Sequence, residues 1–327
     1  MNVDSSLGPE IRLAVKQIAA DNIHGAAYLA RESLKILLQA ARNYKGSATG
    51  EALKEYLIAV ADELAGAQPA MYMISNLLAL VLHRLFSQVD PGSIDAARLS
   101  GLLEKIVCNE MEQGSKELDY LGEKGAALLA ERLAPGGRLL TISSSESVFA
   151  ILKRLSGADV QIIVAESRPL CEGVKLAEKL ARMDFDVCLV TDAMLGIETT
   201  GACLALIGAD TVTRDGAVIN KAGTRLLALA AHADKVPVYC CTQTLKIKPA
   251  LEPGPEPHTP VQKLRPAEEI ISPPAEGVKV RNLYFDRTES YLISGFLTEK
   301  GLLHTRDIRR ISKRMAELRK KVFAPGK

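Results

Sequence analysis

The sequence predicts an α/β protein in which a helical N-terminal part precedes an open, mostly parallel β-sheet with helices on both faces. Apolar residues recur at helical spacing from Pro9 to Ala134, whereas the rest of the chain alternates short Val/Ile/Leu-rich runs with helical stretches. The chain has 327 residues, enough for two domains of roughly 150 residues each. We therefore expect a helical domain over residues 1–134 and an α/β domain over residues 135–327.

The helical half is divided by residues that break helices. In its first expected helix, Ile11, Val15 and Ile18 fall on one face, as in an amphipathic helix. Gly46 and the Asp-Pro-Gly turn at 90–92 separate later helices. The expected helices are 9–21, 24–43, 50–65, 70–87, 93–107 and 109–134. Such a set of helices predicts packing and carries no chemistry by itself.

The pattern changes at Pro135-Gly136-Gly137, where the α/β half begins. The expected strands lie in the segments RLLTIS, VQIIVAES, DVCLVTDA, LALIGADTV and VPVYCCTQ, and the segment GAVINKAGTRLLALAAHAD precedes the last of them. Helical stretches such as EGVKLAEKLARM separate them, and this alternation is typical of βαβ units in a parallel sheet.

A polar cluster follows each of five expected strands. Parallel sheets bind ligands in the crevice at the carboxyl ends of their strands, and all five clusters should meet there. Strand ends also need polar loop residues, so each cluster alone has an ordinary structural explanation. The clusters are Ser143-Ser144-Ser145-Glu146, Glu166-Ser167-Arg168, Thr191-Asp192, Gly208-Ala209-Asp210 and Thr242-Gln243. Together they indicate a binding site at this edge.

The triple serine at 143–145 lies between a strand and a helix. Its hydroxyls and the first N–H groups of the helix could cradle a phosphate, or a serine could simply cap the helix. No GxGxxG or GxxxxGK[ST] motif follows a strand, which disfavours a dinucleotide site and a P-loop.

Other candidate ligand-binding residues follow later strands. Asp210 follows an apolar strand, and Asn220 and Lys221 precede a helix start, so a carboxylate, an amide and an ammonium could meet. Arg168 could bind a phosphate or pair with Glu166. Cys171, close to Arg168 in the chain, could be a reactive thiol at a helix start or a buried neutral thiol.

Composition excludes several classes of protein. Lys plus Arg is 41 and Asp plus Glu is 39, a formal charge of +2, so direct nucleic-acid binding is not expected. The start has no secretory pattern and no apolar run is long enough for a membrane span, so we expect a cytoplasmic protein without membrane contact. Six cysteines without CxxC spacing or paired histidines indicate reduced thiols, and we expect no metal and no cofactor.

Two features lie beyond the predicted sheet. Residues 249–274 hold 8 of the 15 prolines, which predicts an extended surface segment. The stretch 307–323 predicts a basic amphipathic helix, whose basic face is more typical of solvation than of RNA binding. Its apolar face holds Ile308, Ile311, Met315, Leu318 and Val322.

These blocks resemble the family that unites the alpha, beta and delta subunits of translation initiation factor 2B with two sugar-phosphate isomerases, which act on methylthioribose-1-phosphate and ribose-1,5-bisphosphate. The matching stretches include LLTISSSESVFAIL, VAESRPLCEGVKLAEKL, CLVTDA, IGADTVTRDGAVINKAGT, ALAAHADKVPVYC and YLISGFLTEKGLL. The resemblance implies a Rossmann-like second domain and assembly into a homodimer or a larger homo-oligomer.

The chain departs from the isomerases of this family at the positions that the resemblance assigns to chemistry. Their THCN-type motif supplies a cysteine that moves a proton together with the GAD aspartate. Here the motif reads Thr141-Ile142-Ser143-Ser144, so Ser143 stands at the thiol position and only Asp210 of the pair remains. Their Arg-Gly-Ala and Arg-Pro motifs correspond to His24-Gly25-Ala26 and Gln68-Pro69 here, which removes two guanidinium groups.

The resemblance and these departures lead to two functional hypotheses. The favoured one is a non-catalytic protein of the initiation-factor-2B type that binds a phosphorylated sugar or nucleotide in a regulatory or assembly role, with a translation factor as a candidate partner. The alternative is an aldose-ketose sugar-phosphate isomerase that uses Asp210 with Ser143 or a displaced Cys171. In both, the expected ligand-binding residues are His24, Gln68, Ser143, Ser144, Ser145, Arg168, Asp210, Asn220 and Lys221.

Overall fold

The first part of the chain folds into long helices. The computed structural model describes residues 7–251, 256–257, 262, 264–273 and 276–323. The helices are α1 (Pro9–Ala20), α2 (Ala26–Arg42), α3 (Gly50–Ala67), α4 (Tyr72–Gln88) and α5 (Ala96–Ala130). Pro9 begins α1, where its missing N–H costs nothing, and the Thr49 hydroxyl caps α3 by accepting from the Ala52 N–H. Helix α4 packs against α2 and α3 through fully buried leucines such as Leu34, Leu57 and Leu78.

One helix prediction is wrong. The expected helices 93–107 and 109–134 are the single helix α5, which runs through Cys108 without a break. Val107, Cys108 and Asn109 include no glycine or proline, so nothing in the backbone ends the helix there. The remaining expected helices of this half agree with the structure to within two residues at each end.

Asn76 fixes a later part of the chain to this helical unit. From α4, its buried Nδ2 donates to the carbonyl oxygens of Leu245 at 2.8 Å and Ile247 at 2.9 Å. We expect Asn76→Ala to lower the free energy of unfolding by about 2 kcal/mol, because buried carbonyls lose their donor. Urea unfolding measures this change. Asn109→Ala, at an exposed position in α5, is the control and should change stability by less than about 0.5 kcal/mol; equal effects would contradict the role of Asn76.

The second part of the chain contains the β-structure. Its strands are β1 (Gly137–Ile142), β2 (Val160–Ala165), β3 (Asp186–Val190), β4 (Leu204–Ile207), β5 (Thr211–Val212), β6 (Val218–Lys221), β7 (Val238–Cys241), β8 (Phe285–Thr288), β9 (Gly295–Thr298) and β10 (Gly301–Leu303). Its helices are α6 (Glu146–Lys153), α7 (Glu172–Ala181), α8 (Leu195–Glu198), α9 (Thr224–Ala233) and α10 (Thr305–Phe323).

Seven strands form the main sheet, in the order β10-β9-β7-β4-β1-β2-β3. All adjacent pairs are parallel except β9 and β10, which are antiparallel at one edge. The strand order reverses at β1, so the crossover helices cover both faces, as in a Rossmann-like sheet. This confirms the predicted fold class and puts the carboxyl ends of β1, β2, β3, β4 and β7 on one edge.

The small sheet was not predicted. Strands β5, β6 and β8 form an antiparallel sheet in which Asn220 pairs with Asp286 and Lys221 with Phe285. The expected strand 204–212 is broken after Ile207 by Gly208 and Ala209, and its last residues form β5. Strands β8, β9 and β10 follow the proline-rich segment, after the last strand that the sequence predicted.

The chain folds as two compact units. The first contains residues 1–116, 245–253 and 311–327, and the second contains 117–244 and 254–310. This division differs from the expected ranges 1–134 and 135–327, which stay a prediction about domains. In the proline-rich segment the described residues contain a single short 3₁₀ turn at Ala267–Glu269 and neither an α-helix nor a strand.

The predicted amphipathic helix at the C-terminal end is present as α10. Ile308 and Val322 are buried, while Ile311, Met315 and Leu318 are partly buried. Among the described residues, no helix combines the length and the apolar composition that a membrane crossing requires.

Candidate functional site

Three of the predicted polar clusters are joined by hydrogen bonds where β1, β2 and β3 end. The Ser143 N–H donates to Ser167 Oγ at 2.7 Å. The Asp192 carboxylate in turn accepts from the Ser167 N–H at 2.7 Å and from the Arg168 N–H at 2.8 Å. The strand ends therefore form a connected edge, as the sequence predicted.

Ser145 and Gly208 bring two more elements to this edge. The Ser145 hydroxyl caps α6 by accepting from the Val148 N–H, so the capping role considered for the serines is realised at this position. A Cβ atom on Gly208 would lie 2.7 Å from Ser145 Oγ and 3.6 Å from Asn220 Oδ1. Only glycine permits this approach, which brings the ends of β1, β4 and β6 together. Ser144, next to the cap, is exposed.

Lys221 is buried in an ion pair that sequence reasoning missed. Its Nζ lies 2.6 Å from Glu172 Oε1 at the start of α7, and 4.8 Å from the ring centroid of Tyr284. The Lys221 side chain is only 6% exposed. The predicted ligand-binding ammonium is thus already compensated by a carboxylate of the chain.

Residues 264–271 add a second layer of contacts around Tyr284. The Tyr284 hydroxyl donates to Glu269 Oε1 at 2.6 Å, and the Arg265 guanidinium lies 4.6 Å from the ring centroid. Burial and the Glu269 carboxylate raise the pKa of Tyr284, so the phenol keeps its proton. The Arg168 guanidinium donates to the carbonyl oxygens of Glu269 at 3.3 Å and Ile270 at 3.4 Å.

The helix start that follows Lys221 is occupied by a carboxylate of the chain itself. Asp286 Oδ2 accepts from the Gly223 N–H at 2.8 Å and the Arg225 N–H at 3.0 Å, at the N-terminus of α9. Gly223 has a φ of +105°, which suits glycine at this turn. Asn220 Nδ2 donates to Thr224 Oγ1 at 3.0 Å, so its amide is held in place. A ligand phosphate would compete with Asp286 at these N–H groups.

Asp286 makes the stability of this turn depend on pH. Burial raises the pKa of Asp286 to about 6, despite its two N–H donors. The folded state therefore binds more protons than the unfolded state between about pH 4 and 6, and this contribution to stability grows as pH falls through that window. We expect Asp286→Asn to abolish the gain, which is up to about 3 kcal/mol.

Urea unfolding of the two proteins at about pH 4.5 and about pH 7.5 tests this expectation, because the difference between them isolates Asp286 from other carboxylates. If the free energy of unfolding changes equally in the wild type and the variant between the two pH values, Asp286 does not titrate in this window.

Asp210 and Cys171 also lie along the chain at these strand ends. Asp210 is half-buried, and its backbone N–H donates to the Ile219 carbonyl at 2.9 Å. Cys171 has a φ of +54°, and its partly exposed Sγ lies 3.8 Å from the Pro169 carbonyl oxygen. By contrast, Cys240 and Cys241 are fully buried, and burial raises the pKa of Cys241.

His24 and Gln68 belong to the first unit. His24 Nδ1 lies 2.8 Å from Asp21 Oδ2, and its ring stacks on Tyr28 with 3.9 Å between centroids. The Gln68 amide donates to the carbonyls of Ile18 and Asp21, both at 3.0 Å, at the end of α1. Gln68 therefore has a structural role, and its ligand contact stays a prediction.

Sequence reasoning missed Glu172, Tyr284, Glu269 and Asp286. Glu172 and Glu269 lie inside segments already noted, whereas Tyr284 and Asp286 lie between such segments, and the partner of each lies in another segment. No sequence signal links Glu172 to Lys221, because α7, β3 and β4 lie between them. In the part of the chain that the structure describes, no group of three His, Cys, Asp or Glu side chains could hold a metal ion.

Comparison with known proteins settles the family. The sequence model of the initiation factor 2 subunit family matches residues 22–305. This chain belongs to that family. A translation initiation factor eIF-2B subunit 2-like protein of Pyrococcus furiosus is 30% identical over 294 residues, which cover 88% of this chain and 94% of that protein. A ribose 1,5-bisphosphate isomerase of Archaeoglobus fulgidus is 28% identical over 300 residues, 90% of each chain.

Solved structures agree with this family. The translation initiation factor eIF-2B of Pyrococcus horikoshii superimposes with a TM-score of 0.75 at 25% identity, over 92% of this chain and all of that chain. The 5-methylthioribose 1-phosphate isomerase of the same organism gives a TM-score of 0.69 at 20% identity, over 94% of this chain and 88% of that one. The second likeness shows a shared fold.

Proposed function

We propose that this member of the initiation factor 2 subunit family binds a phosphorylated sugar or nucleotide without converting it, in a regulatory or assembly role. One observation carries the proposal: the β1 end presents the hydroxyl of Ser143 where the resemblance implies a thiol. A serine hydroxyl is a far weaker acid than a thiol, so Ser143 cannot take the part of the thiol in the proton transfer that the resemblance assigns to a cysteine and the GAD aspartate.

The geometry of the edge supports retained binding. Ser143, Ser167 and Cys171 all have φ values between +54° and +67°, a conformation that non-glycine residues avoid unless the surroundings enforce it. Such strained residues cluster at binding sites. Ser145 and Asn220 meet at Gly208, which assembles hydroxyl and amide groups suited to a phosphorylated sugar.

The isomerase alternative is favoured by a different observation. Asp210 is half-buried, and Cys171 places a partly exposed thiol at the first turn of α7. Relatives at 28% identity are named ribose 1,5-bisphosphate isomerases. In this alternative Asp210 moves the proton and Cys171 or Ser143 is the second group.

Assembly is part of the proposal. We infer a homodimer or larger homo-oligomer in the cytoplasm, with a translation factor as a candidate partner. A structural neighbour with a TM-score of 0.70 at 17% identity is the tetrameric eIF2B-beta2-delta2 complex of C. thermophilum, over 95% of this chain and 94% of that one. Ile197, Leu226 and Tyr291 leave more than half of their apolar side chains exposed, as interface residues do before assembly.

A thermal-shift experiment tests binding. We expect ribose 5-phosphate, 5-methylthioribose 1-phosphate or adenosine monophosphate to raise the melting temperature of the wild type, with stabilisation near 3 kcal/mol at about 100 times the dissociation constant. Lys221→Ala should lose most of this shift. Lys175→Ala removes the same charge from an exposed position of α7 and should keep it.

The same samples separate the two functions. Incubation with each sugar phosphate, followed by NMR for a ketose product, should show no turnover above background. Turnover at an ordinary enzymatic rate that Asp210→Asn abolishes would establish the isomerase instead. The absence of any thermal shift would overturn ligand binding.

A further inference from the structure

The buried pair of Lys221 and Glu172 restricts what this site can bind. Glu172 Oε1 is 2.6 Å from Lys221 Nζ, and the two side chains are 20% and 6% exposed. The second carboxylate oxygen, Oε2, is buried and has no hydrogen-bond partner among the described residues. An anion that approaches Lys221 therefore meets a carboxylate.

Acceptors of the chain also lie beside other groups near this pair. Tyr284, which contacts both Lys221 and Arg265, donates its hydroxyl to the Glu269 carboxylate. Carbonyl oxygens of residues 269 and 270 accept hydrogen bonds from the Arg168 guanidinium. The α9 N-terminus holds Asp286. A doubly phosphorylated ligand would bring two dianions to a region in which Lys221, Arg168 and the α9 N-terminus already have acceptors.

We propose that Glu172 is a specificity-determining residue, which makes the site select a sugar monophosphate over a sugar bisphosphate. This inference rests on the proposed function. One phosphate binds at the serine-rich end of β1, and a ligand hydroxyl donates to the Glu172 carboxylate, whose side chain is partly exposed. A second phosphate at that position faces the carboxylate and is repelled.

Glu172→Gln tests the proposal with little change in shape. Glutamine keeps an oxygen that Lys221 can bind but removes the negative charge. Isothermal titration should show that the wild type binds ribose 5-phosphate at least as tightly as ribose 1,5-bisphosphate. In the variant, the dissociation constant for ribose 1,5-bisphosphate divided by that for ribose 5-phosphate should be at least about tenfold lower than in the wild type.

Glu178→Gln is the matched control, because Glu178 lies on the exposed side of the same helix and pairs only with exposed Arg182 in the described contacts. It removes the same charge and should leave the ratio unchanged. Circular dichroism melts verify that each variant is folded, and the wild-type ratio tests the proposal even if Glu172→Gln does not fold.

The outcomes separate the two proposals. Binding of ribose 5-phosphate with an unchanged ratio in a folded Glu172→Gln protein overturns the role of Glu172 and leaves ligand binding intact. A wild type that prefers the bisphosphate by about tenfold or more also overturns it. If neither compound binds to any of the three proteins, the proposed sugar-phosphate function itself fails.

Discussion

Replacement of Gly173 by alanine should lower the free energy of unfolding of the second unit by about 3 kcal/mol or more. A Cβ atom at this position would lie 1.7 Å from the carbonyl oxygen of Ala165 and 3.0 Å from Ser167 Oγ. Ala165 ends β2, which is paired on both sides by β1 and β3, so its carbonyl cannot move away. The start of α7 must shift instead, and Glu172 shifts with it.

Urea unfolding monitored by circular dichroism measures this effect, and the midpoint should fall at an unchanged slope. Gly196→Ala is the control, because a Cβ atom on exposed Gly196 in α8 meets nothing within 4 Å. That variant should stay within about 1 kcal/mol of the wild type. A Gly173→Ala protein as stable as the control would show that α7 is loosely held and that its contact with Lys221 is adjustable.

The parallel strands were predictable because each is a short apolar run followed by a turn. Strands β1, β2 and β4 are mostly buried in the sheet and are rich in Val, Ile and Leu. Strand β8 has the sequence Phe-Asp-Arg-Thr, whose polar residues give no such signal. Its place is fixed by pairing with β6 across a long sequence separation, which local patterns do not encode.

The site was predictable only in part, for the same reason. Ser145 and Asp210 follow strands of the parallel sheet, so the rule for such sheets assigns them to one edge. The charges that compensate this edge come from elsewhere: Glu172 starts a helix and Asp286 lies in an unpredicted strand. Sequence reasoning therefore found the polar groups of this edge but not the carboxylates that lie beside Lys221 and the α9 N-terminus.

Ser143→Cys should turn the proposed binding site toward catalysis. Cysteine differs from serine by one atom and has the same Cβ, so the backbone at φ +66° is no more strained than before. A thiol with an ordinary pKa of about 8.5 can exchange a proton with Asp210, whereas a serine hydroxyl cannot at neutral pH. We expect conversion of 5-methylthioribose 1-phosphate at least about 100-fold above the wild-type background.

NMR of the sugar product measures this gain, and the double variant Ser143→Cys/Asp210→Asn should lose it, since the two groups must act as a pair. Methylthioribose 1-phosphate is the suitable probe because it carries a single phosphate, so it has no second phosphate for the Glu172 carboxylate to repel. A Ser143→Cys protein that binds the compound but converts it no faster than the wild type would contradict the prediction. Conversion would then require more than the sulfur atom, and the next positions to change would be His24 and Gln68, where the resemblance implies arginines.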